Sequence, residues 1–479
     1  MNILKLLIVV SVLVFLQACA TDPVTGRPSF ALSESWEINA GKQYHPEILK
    51  QYQVYDDPEL QKYVDDIGQR LAKKSHRPDL PFTFTLLDSP QVNAFALPGG
   101  YVYVTRGIMA YMTKESHLAG VIGHEIGHVT GRHGAERAAQ QQLASGVSLV
   151  VAVGTGSSGL AQASQLFGGA LLSGYGRTQE LESDRLGAEY IAQNNYAPDD
   201  MIDVIGILKN QELYARERAA AEGKEYQGYH SLFSTHPKND TRLQGVIKAA
   251  DKFRDTTEPI PDDGRFLRLT NGMAYGDSEQ QGIIRGNRFY HKGLDLFVEF
   301  PEGWRVQNTP SVLGAISPGG DEVVTMRMDS VPPPVDAQGY LSSKFQNFRD
   351  AQQVNTNEDL GLSGVATISD QQSGQQSTVR VGMITRGSQA FVLAGQGKTS
   401  VPNQSFYRVA QSIRRLKADE QKLATGRKLK LIKAKQGDTV RSLAQRSNLD
   451  EYAESQIRLI NNLYPDREPT AGQMIKIIE

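Results

Sequence analysis

Two histidines four residues apart lie in the middle of an apolar segment, within the sequence His124-Glu125-Ile126-Gly127-His128. The surrounding residues Lys114 to His133 predict a helix, because apolar side chains recur at the helical period: Leu118, Val121, Ile122, Ile126 and Val129. Residues four apart share one helical face, about 6 Å apart along the axis, so both imidazoles can bind one metal ion. Glu125 can hold a water molecule there and act as general base. The pattern therefore predicts a catalytic metal site on a helix.

A second pair of side chains with the same spacing, Glu180 and Asp184, lies in a helix predicted from Thr178 to Asn194. Catalytic zinc uses three protein ligands and a water molecule, whose pKa it lowers to about 7. We expect Glu180 to join His124 and His128 as ligands of one Zn²⁺ per chain. Asp184 would then accept a hydrogen bond from a ligating imidazole and fix its tautomer. The alternative is that both acids form a solvated face near the positive end of their helix.

Nearby acids and histidines fit the ligand set less well. Glu182 lies about 200° from Glu180 around the helix and is expected to point elsewhere. His133 is one residue too early for the zinc pattern in which a third histidine follows at fixed spacing. His117 lies about 10 Å along the axis before His124 and cannot share the ion. We expect both to be surface or core histidines.

The N-terminal residues have the features of an export signal. Leu6 to Leu16 form an apolar run broken only by Ser11, too short to span a bilayer but suited to a secretory signal. The ending Leu16-Gln17-Ala18-Cys19 resembles a bacterial lipobox. We expect a signal peptide at 1–19, a lipid on Cys19 that anchors the chain to a membrane facing the periplasm, and a tether at 20–35. The resemblance to lipoproteins implies that Ala20, in place of Asp, favours the outer over the inner membrane. The alternative for Cys19 is a buried thiol.

Charge and composition bound the rest of the chain. The 51 basic and 53 acidic side chains give a net charge of −2, which leaves no basic field to hold a polyanion and excludes nucleic acid as a partner. Thr257 to Pro261 predict a linker. We expect an α+β chain with a mostly helical metal-binding domain at 36–255, an accessory α+β domain at 262–416 and a small module at 429–479.

The C-terminal module has a predicted order of strand, helix, helix and strand. Its segments Gln436-Gly437-Asp438-Thr439, Asn461-Asn462-Leu463 and Ala471-Gly472-Gln473 resemble a LysM module. That resemblance implies binding to glycans that contain N-acetylglucosamine, so peptidoglycan is a possible partner. Docking to another protein remains equally open. The preceding domain shows no clustered acids, histidines or nucleophile, and we expect a structural or substrate-orienting role.

Four motifs in order carry a family resemblance: Asn93-Ala94-Phe95-Ala96 with Pro98-Gly99-Gly100, His124-Glu125-x-x-His128, Arg177-x-x-Glu180-x-x-x-Asp184-x-x-Gly187, and Thr235-His236-Pro237. Together they resemble the HtpX and CAAX-prenyl-endopeptidase type of zinc metallopeptidase, a gluzincin. The similarity is strongest to its soluble bacterial branch of outer-membrane assembly quality-control proteases. The resemblance implies a mostly helical zincin core with a small sheet.

The same resemblance suggests two further parts of the site. The strand formed by Tyr101, Val102, Tyr103 and Val104 would be an edge strand to which an extended substrate adds; the alternative is an interior strand of a hairpin. His236 would reach the metal, either blocking it in a resting state or donating to the oxyanion of the tetrahedral intermediate. A third reading is that His236 only packs before the next helix.

These observations predict a zinc endopeptidase that hydrolyses extended or misfolded polypeptides in the cell envelope. A peptidoglycan hydrolase directed by the LysM-like module is one alternative, although cell-wall zinc amidases generally use other ligand patterns. A non-enzymatic envelope chaperone is a second, and the intact set His124, Glu125, His128 and Glu180 argues against it.

Overall fold

The computed structural model describes residues 20–26, 28–29, 31–145, 174–223, 240–331, 335–356, 358–369, 376–398, 401, 403–449 and 451–479. The chain forms two compact units. The first takes its residues from Met1–Leu49, Gln53–Tyr275 and Lys428–Glu479, and the second from Lys50–Tyr52 and Gly276–Arg427. Over the described ranges, no helix is both long and apolar enough to cross a membrane.

The first unit is mostly helical. Its helices are α1 (Glu34–Gln51), α2 (Pro58–Lys73), α3 (Arg106–Met109), α4 (Glu115–Thr130), α5 (His133–Ser145), α6 (Arg177–Gln193), α7 (Asp200–Ala221), α8 (Asp240–Arg254) and α9 (Arg265–Leu269). Helix α2 shows how local sequence sets such a boundary: Asp57 caps it by accepting from the backbone N–H of Leu60, and Pro58 occupies the first turn, where no backbone donor is needed.

Two small sheets lie in the N-terminal part of this unit. Strands β1 (Ala20–Thr21) and β2 (Pro28–Ser29) form an antiparallel pair. Strands β3 (Thr83–Leu87), β4 (Ala94–Leu97) and β5 (Tyr101–Thr105) form a three-stranded sheet in the order β3-β5-β4. The pairing of β3 with β5 is parallel, and that of β4 with β5 is antiparallel. This sheet packs on α4 through β4 and β5.

Helix α4 lies at the centre of the unit. All of its residues from Ser116 to Thr130 are buried, as expected of a helix that packs against neighbours on every side. Helices α2, α6 and α7 and the sheet surround it. The helix predicted to run to His133 ends at Thr130, because Arg132 adopts a left-handed conformation (φ 57°) that an α-helix cannot continue.

The C-terminal residues of the first unit complete its core. Strands β6 (Ala274–Tyr275), β17 (Arg427–Lys433) and β18 (Met474–Ile478) form one sheet, with β17 in the middle. Helices α12 (Val440–Gln445) and α13 (Ala453–Ile460) connect β17 to β18, so the predicted order of strand, helix, helix and strand is confirmed. Apolar side chains of this segment belong to the same core as those of α2 and α4: Leu429, Val440, Leu443, Ile457, Ile460, Ile475 and Ile477.

The second unit is built on antiparallel strands. Its larger sheet has the order β10-β11-β12-β16-β15-β14-β13, formed by Arg305–Asn308, Leu313–Ile316, Glu322–Ser330, Gln389–Gly397, Gln376–Arg386, Leu360–Ser369 and Gln346–Asn355. A smaller sheet contains β7 (Ile283–Arg285), β8 (Arg288–His291) and β9 (Leu296–Glu299). Helices α10 (Ala337–Lys344) and α11 (Asn403–Ser412) pack on the larger sheet. The predicted α+β class is confirmed for the chain, whereas the domain boundaries remain a prediction.

Candidate metal centre

Helix α4 presents two imidazole rings on one face. His124 and His128 are both buried, and their Nε2 atoms lie 3.0 Å apart. Burial lowers the pKa of His128 well below its usual value, so this ring is neutral and its ring nitrogen keeps a lone pair. A single turn of helix has thus brought two nitrogen donors to one point.

Helix α6 supplies an oxygen donor to the same point. Glu180 Oε2 lies 3.7 Å from Nε2 of His124, and Oε1 lies 3.4 Å from Nε2 of His128. One atom from each of the three side chains lies within 4.8 Å of the other two. Glu180 is fully buried, so its carboxylate faces the two imidazoles and not water.

Small residues allow α4 and α6 to approach closely enough for this arrangement. A Cβ atom at Gly127 would lie 3.0 Å from Cα of Ser183, and one at Gly187 would lie 3.1 Å from the backbone nitrogen of His124. Both distances are shorter than ordinary carbon contacts, so a larger residue at either position would push the helices apart. Gly127, which lies between the two histidines of α4, therefore sets the distance at which Glu180 lies from them.

Asp184 contacts the ring of His124, and Arg242 contacts the carboxylates of both Asp184 and Glu180. Asp184 Oδ1 lies 2.9 Å from Nδ1 of His124, which leaves Nε2 of that ring facing Glu180. Arg242 donates to both oxygens of Asp184 at 2.7 and 2.6 Å and lies 3.0 Å from Glu180. Burial raises the pKa of Asp184, but Arg242 and His124 outweigh it and hold that pKa below its usual range.

Sequence reasoning did not find Arg242, although one signal was available. Arg242 lies in the first turn of α8, where the positive end of the helix dipole disfavours a cation. An arginine at such a position is consistent with a specific acidic partner. Helix α6 provides two, Glu180 and Asp184, and the three charged groups are all buried.

The donor set fits a divalent cation. Two neutral imidazole nitrogens and one carboxylate are a common ligand set of catalytic zinc, whose ligands at about 2 Å lie roughly 3.3 Å apart in tetrahedral geometry. The observed separations of 3.0, 3.4 and 3.7 Å bracket that value. Among the described residues buried here, the carboxylates of Glu125, Glu180 and Asp184 outnumber the guanidinium of Arg242 by two charges, which a dication would neutralise.

Glu125 borders a small cavity beside the donors. The cavity has a volume of about 20 Å³ and is lined by His124, Glu125, Arg242, Ala94 of β4 and apolar residues of α7. This volume suits a single water molecule. The cavity therefore places the predicted general base next to one of the imidazoles and next to strand β4.

The ring of His128 has two further neighbours. Tyr175 stacks on it with ring centroids 3.7 Å apart, and the guanidinium of Arg137 lies 4.7 Å from the centroid of Tyr175. His133 is not a surface residue: it is buried, and its Nδ1 lies 2.9 Å from Nδ1 of His128. Glu182 stays outside the three donors and lies 3.3 Å from His133.

His117 belongs to a separate cluster. Its Nδ1 accepts from the backbone N–H of Thr113, and its Nε2 lies 3.4 Å from Asp203. The ammonium of Lys114 lies 2.7 Å from Asp200 and 3.5 Å from Asp203, so one cationic side chain already pairs with both acids. Although these residues have the side-chain types of a metal site, they form an ion-pair network.

The predicted edge strand is wrong. Strand β5, with Tyr101, Val102, Tyr103 and Val104, is the central strand of its sheet and pairs on both sides. The hairpin with β4 follows from the turn Pro98-Gly99-Gly100, where both glycines have positive φ. The parallel partner β3 comes from earlier in the chain, and no local pattern reveals such a pairing. Among the described strands, β4 pairs only with β5, and Ala94 of β4 lines the cavity.

Two predicted site residues, Cys19 and His236, lie outside the described residues. Lipidation of Cys19 and both predicted roles of His236 therefore stay predictions.

Comparison with known proteins places the site in a family. Residues 58–250 match the model of peptidase family M48, and residues 432–477 match the model of the LysM domain. The chain is 30% identical over 261 residues to the β-barrel assembly-enhancing protease of Escherichia coli (strain K12), covering 52% of this chain and 51% of that protein. Over 226 residues it is 31% identical to the putative β-barrel assembly-enhancing protease of Vibrio cholerae, covering 45% and 44%.

A eukaryotic relative is matched over a similar region. The mitochondrial metalloendopeptidase OMA1 of Schizosaccharomyces pombe is 28% identical over 245 residues, which cover 49% of this chain and 68% of that protein. The chain spans about half the length of the bacterial relatives. The family model covers every described residue of the centre, from His124 and His128 to Glu180, Asp184 and Arg242. Residues 58–250 of this chain therefore belong to peptidase family M48, and residues 432–477 form a LysM domain.

Proposed function

We propose that this chain is a zinc-dependent endopeptidase, with one Zn²⁺ bound by His124, His128 and Glu180. The observation that carries the proposal is the convergence of these three buried donors, one of which, His124, lines a water-sized cavity together with Glu125. Membership of the region in peptidase family M48 supports the same reaction.

Each side chain of the centre has a distinct part in the proposed hydrolysis. Zinc in such a site polarises the scissile carbonyl and lowers the pKa of water to about 7. Glu125 accepts the proton of the attacking water and passes it to the amide nitrogen as the peptide bond breaks. Asp184 holds His124 by its Nδ1, and Arg242 keeps Asp184 ionised so that it can do so.

Strand β4 is the proposed docking element for substrate. It contributes Ala94 to the cavity that Glu125 borders, and among the described strands only β5 pairs with it. An extended polypeptide that adds to β4 on the side away from β5 would form backbone hydrogen bonds that do not depend on side-chain identity. Such binding suits a protease that acts on extended or misfolded chains, which is the substrate class we propose.

We further propose that the enzyme works in the bacterial cell envelope. A lipid on Cys19 would anchor it to the periplasmic side of a membrane, and we propose the outer membrane over the inner one. The support is the lipobox-like Leu16-Gln17-Ala18-Cys19 and the β-barrel assembly for which the E. coli relative is named. Mass spectrometry of the mature protein from its host should find acylated Cys19 at the N-terminus. An unmodified Cys19 in mature protein would refute the anchor.

The LysM domain favours one other candidate, a hydrolase of peptidoglycan, and also suggests that the protease binds peptidoglycan. Purified protein should be incubated in parallel with denatured casein and with purified sacculi, with and without a chelator. We expect casein to be cleaved, the chelator to stop cleavage, and zinc to restore it. Solubilised sacculi with intact casein would establish the hydrolase instead. No cleavage of either would favour a chaperone.

A further inference from the structure

His133 contacts His128, one of the proposed ligands, on the ring nitrogen that does not face the other donors. Arg132, with its positive φ of 57°, ends helix α4 and starts α5, so that the chain folds back and His133 faces His128. A Cβ atom at Gly131 would lie only 2.6 Å from Nε2 of His133, so the glycine makes room for this ring. The local backbone is therefore shaped around an inward-pointing, buried imidazole.

The positions of the nitrogens fix where the protons are. The Nε2 atom of His128 points at Glu180 and at His124, so in the metal-bound form its proton is on Nδ1. That Nδ1–H lies 2.9 Å from Nδ1 of His133, which can accept it only if His133 carries its own proton on Nε2. The hydroxyl of Ser183 lies farther from the same nitrogen, at 3.3 Å, and could donate to it only by sharing the lone pair that accepts from His128.

Glu182 lies at the other end of the His133 ring. Its Oε2 is 3.3 Å from Nε2 of His133, the nitrogen that must carry the proton. The side chain of Glu182 is 24% exposed and also lies 3.7 Å from Arg185. A carboxylate, an imidazole and the ring of His128 thus form a continuous chain of donors and acceptors.

We propose that His133 and Glu182 are positioning residues that orient His128 for metal binding and strengthen its donor nitrogen. The inference rests on the zinc site proposed above. Under this proposal, a carboxylate orients each of the two ligand histidines. His124 contacts the carboxylate of Asp184 directly, whereas His128 reaches the carboxylate of Glu182 through His133. Such partners fix the tautomer and the orientation of a ligating ring.

The test measures zinc affinity by competition with a chromophoric chelator, and the absorption spectrum of the cobalt(II)-substituted protein. The variants are Glu182→Gln, His133→Phe and the two combined. The structure offers matched controls, Glu189→Gln on α6 and His76→Phe, whose ring lies 3.9 Å from Glu189. Within the described residues, this second histidine–glutamate pair contacts Arg185 and Tyr190 and none of the three metal donors.

We expect Glu182→Gln and His133→Phe each to weaken zinc binding by about 10–100-fold and to shift the cobalt spectrum. The double variant should bind no more weakly than His133→Phe, because Glu182 acts through His133. The thermal unfolding midpoints of the metal-free proteins should match those of the controls. If His133→Phe does not fold, the more exposed Glu182→Gln carries the test.

Affinities of Glu182→Gln within twofold of Glu189→Gln, or losses that simply add in the double variant, would overturn the relay. A wild-type protein that binds no zinc would overturn the proposed function and the relay with it. The two failures are distinguishable, because the first concerns only the variants and the second the wild type.

Discussion

At the scale of single residues, ion pairs make the buried centre chemically possible. A buried carboxylate normally favours its neutral form, since burial penalises charge. Arg242 reverses this for Asp184, whose pKa is held below its usual range. Burial lowers the pKa of Arg242, but the carboxylates of Asp184 and Glu180 outweigh burial and raise that pKa. Asp184 and Arg242 thus stabilise each other's charged forms beside the proposed ligands.

Glu115 gives a prediction on the pH dependence of stability. It accepts hydrogen bonds from Tyr63, Arg70 and Tyr196 at the start of α4. Burial raises its pKa, but these hydrogen bonds outweigh burial and hold the pKa below the usual value. Because the folded-state pKa is depressed, the stabilisation is full above the unfolded-state pKa of about 4.3 and is lost as pH falls through the folded-state value.

We therefore expect Glu115→Gln to lower the free energy of unfolding by about 1.5–3 kcal/mol at pH 7, measured by urea denaturation. The difference from wild type should shrink as the pH falls below about 4. Asp66→Asn is the control: Asp66 pairs with Lys62 on the surface, and its loss should cost under about 1 kcal/mol. A Glu115 effect independent of pH would contradict the ion-pair account.

How much of the site the sequence revealed depends on where each residue lies. His124, His128, Glu180 and Asp184 occur in pairs four apart, so helical periodicity alone places each pair on one face. Arg242 comes from a third helix and carries no such spacing. His133 was judged only by its spacing in a zinc motif, whereas the left-handed residue Arg132 turns the chain so that His133 contacts His128.

At the scale of elements, the spacing between α4 and α6 determines whether three donors meet. Gly127 faces Ser183, and Gly187 faces the backbone of His124. In the sheet of β3, β4 and β5, local sequence predicts one strand pairing and not the other. The hairpin of β4 and β5 follows from a local turn, whereas the parallel partner β3 adds a pairing that only the folded chain shows. Local pattern therefore predicted the strands but not which one is at the edge.

Gly127→Ala tests the helix spacing. The new methyl group would lie 3.0 Å from Cα of Ser183 and 3.3 Å from Cβ of Leu186, and must displace α6 with Glu180. We expect the free energy of unfolding to fall by about 1–3 kcal/mol and zinc affinity to fall as well. Urea denaturation and chelator competition measure the two effects.

Gly206→Ala is the matched control within a helix. Outside its own helix, no atom of the described residues lies within 4 Å of the Cβ added in α7, so the change should stabilise the protein by about 0.5–1 kcal/mol through helix propensity. If both alanine variants were equally stable, close packing of α4 on α6 would not be what limits position 127.

At the scale of the molecule, the LysM domain shares the core of the peptidase domain. The amino group of Lys476 in β18 is buried and donates to the carbonyl oxygens of Ala110 and Met112, each at 2.6 Å. These carbonyls directly precede the metal-binding helix α4. Sequence motifs identified two separate domains, and only the folded chain shows that their apolar side chains form one cluster.

Ile475→Ala tests this shared core. Ile475 in β18 is fully buried, and its truncation should cost about 2–5 kcal/mol. The chain has two tryptophans, so a Trp304→Phe background leaves Trp36, in the first unit, as the fluorescent reporter. We expect the unfolding midpoint reported by Trp36 to fall, whereas Met474→Ala, at an exposed position of the same strand, should leave it nearly unchanged. An unchanged midpoint for Ile475→Ala would show that the LysM domain unfolds independently.

The central claim is that a metal held by His124, His128 and Glu180 works with Glu125 as base. Replacing Glu125 with glutamine removes the base and leaves all three donors in place. The most direct measurement is zinc content together with hydrolysis of denatured casein, for wild type and Glu125→Gln side by side. We predict one zinc per chain in both proteins, with hydrolysis lowered by at least about a hundredfold in the variant. Near wild-type hydrolysis by a zinc-loaded Glu125→Gln protein would contradict the account.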